Sequence, residues 1–387
     1  MEPRPAGIPA VPRPVAAGAG QRRAAQRLPG AVGDVPAARL RGRAVPVRLP
    51  LRRAGRPARP ARAGVVAAGA PDRRARTGVA VRTLVAVAGG AGRLGRSVVR
   101  VLADAGREIV SIDLPGSGTP DGARASVPAD LTDAEHTHRV LADIGPSAVV
   151  HLAAIAVPFS RPETELLPAN VTIAHNVCDA ATRIGCRSVV VTSSPTVLGY
   201  GSPAGWAPEY LPLDEAHPTR PWHAYALSKL AIELMVRMYA DRGEATHFSV
   251  VRPGYVIAPE EWHGAPTQDG HTVTERLDDP ALGAKSLFNY VDARDAAELV
   301  DTLIDAAGAV PSAEVFFGCA AGPLAREPLS ELLPRFHPGT TDHAAALGDG
   351  APAFAVGKAE RLLGWRPRRD WHTELSAVDM TTRQGAS

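Results

Sequence analysis

The chain has 387 residues and a formal net charge of +3, but its composition and charge are not uniform. Residues 1–80 carry 17 arginines against three acidic residues, a net charge of +14, so the rest of the chain carries 3 minus 14, or −11. No apolar run is long enough to span a membrane and the N-terminus lacks the apolar core of a signal peptide, so a soluble, cytoplasmic protein is predicted.

The first segment in chain order, residues 1–80, contains 59 Ala, Arg, Gly or Pro residues and no aromatic residue. Such a stretch cannot bury enough apolar surface to offset the entropy of ordering, so we predict a disordered Arg/Pro/Ala-rich extension. Its arginines are scattered and lack aromatic neighbours for base stacking, so no nucleic-acid partner is predicted. We also hypothesise that the extension is translated upstream DNA and that the native chain begins near residues 79–81. An intact mass of the full 387 residues from the native host would contradict this.

Residue 83 begins an alternation of apolar strands and helices. The stretch TLVAVAGGAGRLGRSVVRVLADAG, residues 83–106, is typical of a strand, a glycine-rich turn and a helix. Continuous apolar strands that alternate with helices indicate a parallel sheet covered on both faces. Further strands are predicted within residues 108–115, 147–157, 188–194, 247–253 and 313–320.

The predicted fold is therefore α/β, a Rossmann-type doubly wound parallel sheet with a smaller, irregular C-terminal substrate lobe. Residues 81–254 would form the cofactor-binding domain and carry the catalytic residues. Residues 255–387, which begin with a loop-rich stretch, would form mainly the substrate lobe, with some segments returning to the sheet. A ligand would bind between the two, at the carboxyl ends of the strands.

The glycine-rich turn is the first candidate site. Gly89, Gly92 and Gly95 follow the first strand at GxxGxxG spacing. Gly89 would allow a sharp turn, Gly92 a close approach of the backbone to a pyrophosphate, and Gly95 tight packing of the helix on the strand. The pattern predicts a dinucleotide site.

Two acidic residues follow at the ends of the next two strands. Asp113, 24 residues beyond Gly89, would accept hydrogen bonds from the adenosine ribose and repel a 2′-phosphate, which favours NAD over NADP. The alternative for Asp113 is a surface acid in a turn. Asp130 in ADLTD would bind the adenine amino group, or it is a loop acid before a helix capped by Thr132.

Tyr225 and Lys229 lie four residues apart in HAYALSKLAIE, so they would share one helix face. A nearby ammonium favours the phenolate and lowers the pKa of a tyrosine from about 10, which makes the phenol usable as an acid or base. Ser193 and Ser194 would end the preceding strand and supply a hydroxyl for a substrate oxygen. Each feature alone is also ordinary in helices and turns.

Together, in this order, these residues resemble the extended short-chain dehydrogenase/reductase family, of the NAD-dependent epimerase/dehydratase type. The resemblance covers about residues 83–370. It is carried by GGAGRLG, ADLTD, HLAA (151–154), ANVTIAHN (169–176), SSPTVLG, YALSK and RPGYVIAP, and by the later segments VDARDAAE and KAERLLGWRP.

The resemblance implies NAD as cofactor, Tyr225 as general acid/base, Ser194 as the group that binds the substrate oxygen, and Lys229 as the group that holds the nicotinamide ribose and lowers the tyrosine pKa. Asn170 would support the site and His223 would be structural. The implied cofactor-binding residues are Gly89, Gly92, Arg93, Leu94, Gly95, Asp113, Asp130, Leu131, Ala153, Ala154, Tyr225 and Lys229.

Departures from the family pattern narrow the activity. Pro195 and Thr196 stand where sugar-nucleotide dehydratases have an Asp-Glu pair, which disfavours water elimination. Tyr255 and Ala258 replace an Asn and a Gly that nucleotide-sugar enzymes often have, which disfavours a nucleotide-sugar substrate. PLDEAHPTRP (212–221) is nevertheless similar in outline to sugar-modifying members.

We therefore predict an NAD-dependent oxidoreductase that acts on a secondary alcohol or ketone of a sugar-like molecule. The alternatives are an NAD-dependent sugar or nucleotide-sugar epimerase with the same residues and a catalytically silent NAD-sensing regulator. Leu230–Ala240 is apolar enough to form a homodimer interface of the kind this family often uses. Four further residues could meet a ligand or be structural: Arg252, Trp262, Arg276 and Arg294. No metal or disulfide is predicted from the widely spaced Cys178, Cys186 and Cys319.

Overall fold

A seven-stranded parallel sheet forms the centre of the protein in a computed structural model that describes residues 83–376. The predicted disordered extension, residues 1–80, lies outside the described residues. The strand order is β3-β2-β1-β4-β5-β6-β9, and two short strands, β7 and β8, pair separately. The strands are β1 (Leu84–Ala88), β2 (Glu108–Asp113), β3 (Ala125–Pro128), β4 (Ala148–His151), β5 (Ser188–Thr192), β6 (His247–Pro253), β7 (Val256–Ile257), β8 (Val291–Asp292) and β9 (Glu314–Gly318).

Helices cover both faces of this sheet, which confirms the predicted Rossmann-type fold. The period of two along each strand explains why both faces are apolar: Ala86 and Ala88 pack on one side, and Val85 and Val87 on the other. The sheet helices are α1 (Arg93–Asp104), α2 (Ala134–Ile144), α3 (Glu163–Arg183), α4 (Ala224–Asp241) and α8 (Ala293–Asp305).

The smaller lobe is irregular, and segments from the C-terminal part of the chain also reach the sheet. Strand β9 pairs with β6, and α8 packs beside α1. The remaining helices are α5 (Pro259–Trp262), α6 (Val273–Asp278), α7 (Pro280–Ala284), α9 (Leu329–Phe336), α10 (Thr341–Ala344) and α11 (Gly357–Leu363), with 3-10 turns at Pro195–Leu198 and Pro338–Thr340.

Strand β4 is shorter than the apolar run 147–157 predicts, because it ends at His151. The N–H groups of Leu152 and Ala153 both donate to the carbonyl of Ala88, at 2.8 and 2.9 Å, and close the ladder there. The chain then leaves the sheet above the glycine-rich turn. This edge is the topological switch point between β1 and β4, where parallel sheets of this order bind ligands. None of the helices within residues 83–376 is long and apolar enough to cross a membrane.

Candidate active site

The glycine-rich turn after β1 has a geometry that side chains would disrupt. Gly89 has φ of 87°, and a Cβ there would lie 2.7 Å from the nitrogen of Ala153. A Cβ on Gly95 would clash with the carbonyl oxygen of Gly89, so this glycine lets α1 approach the turn. The N-terminus of α1 therefore faces the edge of the sheet, where its free amides favour a phosphate.

Asp113 ends β2, and its carboxylate is held in place by the protein. The N–H of Ala91 donates to one oxygen at 3.0 Å, and the hydroxyl of Ser111 donates to the other. A carboxylate has about four acceptor sites, so this one retains capacity for ribose hydroxyls. Ser111 is a supporting residue that the sequence analysis missed, although it lies two residues before Asp113 on the same strand face.

Asp130 follows β3, and its carboxylate accepts from the N–H and hydroxyl of Thr132 at 2.9 and 2.7 Å. These hydrogen bonds lower the pKa of Asp130. The prediction that Thr132 caps the next helix is wrong. Asp133 caps α2, because its carboxylate accepts from the N–H of His136, while Thr132 donates to Asp130 in the turn before the helix. Leu131, which lies between Asp130 and Thr132, is buried.

Arg93, at the first position of α1, reaches the smaller lobe. Its guanidinium forms an ion pair with Glu261, which is 2% exposed, and donates to the carbonyl of Val256 at 3.0 Å. Arg93 therefore ties the cofactor turn to the first segment of the lobe. Leu94, the next residue, lines the same cavity as Gly92 and Gly95.

Tyr225 and Lys229 lie on the first two turns of α4, as their spacing predicts. Lys229 is 3% exposed, and its ammonium donates to the carbonyl of Thr192 at the end of β5, at 3.0 Å. The ammonium nitrogen lies 5.7 Å from the centroid of the Tyr225 ring. Ser194 follows β5, and its hydroxyl accepts from the N–H and hydroxyl of Thr196 at 3.2 and 2.9 Å. The phenol, ammonium and serine hydroxyl thus meet at one strand end.

The predicted lowering of the tyrosine pKa is not seen in this structure. Burial raises the pKa of Tyr225 to about 12, and the neighbouring Ser194 hydroxyl only partly opposes that effect. Burial also lowers the pKa of Lys229 to about 8. The expectation was wrong because it counted the charge of Lys229 and not the removal of both side chains from water. The phenol is therefore protonated at neutral pH and is ready to donate.

The buried ammonium predicts a pH dependence of stability. The pKa of Lys229 is about 8 in the folded protein and near 10.5 when unfolded, so between these values the unfolded chain binds more protons and stability rises with pH. Lys229→Met lacks this titration. Between pH 7.5 and 9.5, its free energy of unfolding should therefore rise by about 2 kcal/mol less than that of the parent protein. Urea unfolding of both proteins at the two pH values measures the difference. An equal pH response would show that Lys229 keeps its ordinary pKa.

Asn170 and His223 support these groups from the helices. The Asn170 side chain accepts from the N–H of Ile155 at 2.8 Å and donates to the hydroxyl of Ser228 at 3.2 Å, which links α3, α4 and the loop after β4. His223 caps α4, because its Nδ1 accepts from the N–H of Ala226 at 3.2 Å. Both placements agree with the supporting and structural roles expected for them.

One cavity of about 800 Å³ brings together every residue predicted for the cofactor and the chemistry. It runs along the carboxyl edge of the sheet from Asp130 to the lobe, and its volume lies within the ~300–1,000 Å³ typical of ligand sites. Several lining residues were not predicted, because they lie in loops without a periodic or spaced pattern. They are Thr196, Tyr200, Gln268, Asp269, Lys285, Ser286 and Asn289.

The side chains of the four residues predicted to be either ligand-binding or structural all contact other residues of the protein. Arg252 forms a buried ion pair with Glu233, and Arg294 pairs with Asp292, which also accepts from the indole N–H of Trp262 at 2.7 Å. Arg276 is 1% exposed and lies behind the cavity-lining Tyr255, with its guanidinium carbon 3.9 Å from the ring centroid. Within residues 83–376, none of the four lines the cavity itself.

Comparison with known proteins agrees with this geometry. The model of the NAD dependent epimerase/dehydratase family matches residues 85–316. The chain is 30% identical over 319 residues to a UDP-glucose 4-epimerase from Mycolicibacterium smegmatis, a match that covers 74% of this chain and 94% of that protein. The chain belongs to the NAD-dependent epimerase/dehydratase family.

Two further relatives match over a shorter region. A UDP-glucose 4-epimerase from Azospirillum brasilense is 35% identical over 161 residues, 40% of this chain and 43% of that protein. A uronate dehydrogenase from Pseudomonas syringae is 30% identical over 159 residues, 41% of this chain and 54% of that protein. The chain thus spans less than two thirds of these two relatives.

A solved structure shares the fold. It is a short-chain dehydrogenase/reductase superfamily protein from Agrobacterium tumefaciens, crystallised with NAD. The TM-score is 0.58 at 24% identity, and the match covers 78% of this chain and 98% of that one.

This member of the family is an NAD-dependent enzyme of the extended short-chain dehydrogenase/reductase type, as its motifs predicted. Its residues fit NAD. Gly89 and Gly95 leave room for backbone contacts at a pyrophosphate, and a fixed carboxylate at Asp113 suits ribose hydroxyls. Ala153 and Ala154 line the same cavity as Tyr225 and Lys229.

Proposed function

We propose that this family member is an NAD-dependent dehydrogenase that oxidises a secondary alcohol of a free, sugar-like molecule, or reduces the matching ketone. The observation that carries the proposal is the pairing of the cationic side chains that line the cavity. Three such side chains line it in the described part of the chain, namely Arg93, Lys229 and Lys285.

Arg93, the one arginine among them, pairs with the buried Glu261. Lys229 donates to a backbone carbonyl beside the catalytic phenol, and Lys285 shares Asp269, at 3.1 Å, with Arg276 and keeps free donors. None of the three is therefore an unpaired arginine that could bind a diphosphate. The diphosphate of a nucleotide sugar carries two negative charges and is bound best by the paired donors of arginine. The cavity therefore suits a substrate without that group.

Tyr255 and Ala258 add to this argument. Tyr255 packs its ring on the guanidinium of Arg276 and lines the cavity, where many nucleotide-sugar enzymes have an amide side chain. Ala258 is 1% exposed and lies directly before α5, and its N–H donates to Glu261 at 3.1 Å. The carboxylate of Glu261 thus binds both Arg93 and the N–H that precedes α5, so each of these donors already has a carboxylate partner.

The catalytic roles follow from the positions of the three polar groups. The Ser194 hydroxyl would orient the substrate oxygen, and the protonated Tyr225 would donate to it during ketone reduction or accept its proton during oxidation once ligand binding lowers the phenol pKa. Lys229 would hold the nicotinamide ribose of the cofactor. NAD, when bound, supplies the hydride acceptor.

A nucleotide-sugar or sugar epimerase is the second candidate, because the M. smegmatis relative, whose match covers most of both chains, is a UDP-glucose 4-epimerase. Cofactor retention separates the two. An epimerase regenerates its cofactor in each turnover, whereas a dehydrogenase releases it as a product.

The deciding experiment denatures purified protein and quantifies the nicotinamide dinucleotide it retains, then follows NADH formation with free sugars and NAD. We expect little retained NAD and NADH formation with a free sugar. Near-stoichiometric retained NAD, together with conversion of UDP-glucose to UDP-galactose, would instead establish the epimerase.

We further propose a homodimer formed through α4. Leu227 and Leu234 lie seven residues apart on this helix and are 45% and 63% exposed, so they form an apolar stripe on its surface. Leu234 lies within the predicted region, Leu230–Ala240, and Leu227 lies just before it. Sedimentation of the parent protein should show a dimer and that of Leu234→Glu a monomer. A monomeric parent protein would remove this proposal.

A further inference from the structure

The lobe side of the cavity contains two cations that share one carboxylate. Asp269 lies 3.1 Å from the ammonium of Lys285 and 3.6 Å from the guanidinium of Arg276. Asp269 is the carboxylate partner of both cations within residues 83–376. The local charge is therefore one unit positive.

The carboxylate of Asp269 is needed by the buried cation. The Arg276 side chain is fully buried, and its other contacts are neutral: the Ser286 hydroxyl at 2.8 Å, the His271 ring nitrogen at 3.3 Å and the face of Tyr255. A buried guanidinium without a counter-charge is costly, so Asp269 balances Arg276 first.

Neighbouring ionisable groups do not alter this balance. Burial, followed by the nearby Arg276, lowers the pKa of His271, which favours the neutral form of the ring. The carboxylate of Glu275 is turned away and accepts from the N–H and hydroxyl of Thr272 at 2.8 and 3.0 Å. The unbalanced positive charge therefore remains at the cavity wall.

Lys285 is the side chain that can present this charge to a ligand. It is 56% exposed, lines the cavity with Gln268 and Ser286, and uses one of its three donors on Asp269. A single carboxylate would complement one net positive charge and the free donors of the ammonium, whereas a phosphate monoester would bring close to two negative charges.

We propose that Lys285 binds a carboxylate of the substrate, so that the preferred substrate class is a sugar acid rather than the parent sugar. Gln268 lines the same cavity and offers an amide for the same group or for an adjacent hydroxyl. The inference rests on the proposed sugar dehydrogenase function, and it adds the anionic group and the residue that recognises it.

The test separates binding from turnover. Titration calorimetry on the NADH-saturated protein, which cannot oxidise the added sugar, compares galactose and glucose with galacturonate, glucuronate and the two hexose 6-phosphates, and NADH formation is followed in separate assays with NAD. We expect at least one sugar acid to bind more tightly than its parent sugar and its 6-phosphate. Lys285→Gln should reduce the acid-to-sugar affinity ratio about tenfold, and Lys285→Arg should retain most of it.

The control is Arg326→Gln, which removes an exposed lobe cation paired with Asp278 that does not line the cavity. It should leave the ratio as in the parent protein. Equal affinity for acids and sugars, tighter binding of a 6-phosphate, or an unchanged ratio in Lys285→Gln would overturn the inference. Sugar-acid binding that depends on Lys285 without NADH formation would support the inference and overturn the proposed dehydrogenase function.

Discussion

Replacing Tyr225 with phenylalanine should lower kcat/KM by about 10²- to 10⁴-fold, the usual contribution of a positioned proton donor or acceptor. The variant retains the ring beside Lys229 and loses only the hydroxyl. Affinity for NAD and the thermal midpoint should therefore change little. The measurement is NADH formation with the best sugar or sugar acid, together with the dissociation constant of NAD.

A buried tyrosine on the same helix provides the matched control. Tyr239 is 2% exposed and stacks on Phe248, with ring centroids 5.2 Å apart, away from the cavity. Tyr239→Phe should leave kcat/KM essentially unchanged. If Tyr225→Phe retained the activity of the parent protein, proton transfer by this phenol would be excluded and the assigned mechanism would be wrong.

Glu233→Ala should have the largest effect on stability, a loss of about 3–5 kcal/mol in the free energy of unfolding. Glu233 follows Lys229 by one turn of α4, and its carboxylate accepts two hydrogen bonds from Arg252 on β6, at 2.8 and 2.7 Å. It also accepts from the hydroxyl of Ser193. Arg252 is 3% exposed, so the substitution leaves a buried guanidinium without a counter-charge.

Urea unfolding measures this loss, and two further variants interpret it. Asp104→Ala removes a pair with Arg100 that is more than 60% exposed on both sides, and it should cost less than about 1 kcal/mol. Glu233→Met combined with Arg252→Met removes both buried charges and should be more stable than Glu233→Ala. A loss for Glu233→Ala as small as that for Asp104→Ala would show that the pair does not hold α4 against β5 and β6.

The position of this pair also explains why the catalytic groups are aligned. Ser193 lies next to Ser194, and Glu233 lies one turn from Lys229, so the buried network fixes the strand end and the helix that carry them. From the sequence alone, Arg252 could be either a ligand group or a structural one. Its role depends on contact with a helix residue 19 positions earlier, which no local pattern shows.

The sequence by itself determined the features that depend on local spacing. Apolar strands alternating with helices predicted the parallel sheet, the GxxGxxG spacing predicted the tight turn between β1 and α1, and the four-residue separation of Tyr225 and Lys229 placed both on one face of α4. These predictions succeed because strands and helices have fixed periods and because the carboxyl ends of parallel strands meet at one edge.

Only the tertiary structure decided the charge and protonation of the site. Arg93 meets Glu261 across 168 positions, and Lys285 shares Asp269 with Arg276 in a lobe without regular periodicity. Burial, rather than the neighbouring ammonium, sets the pKa of Tyr225. These properties depend on which irregular loops pack together and how much water they exclude, and neither is encoded in the spacing of residues along the chain.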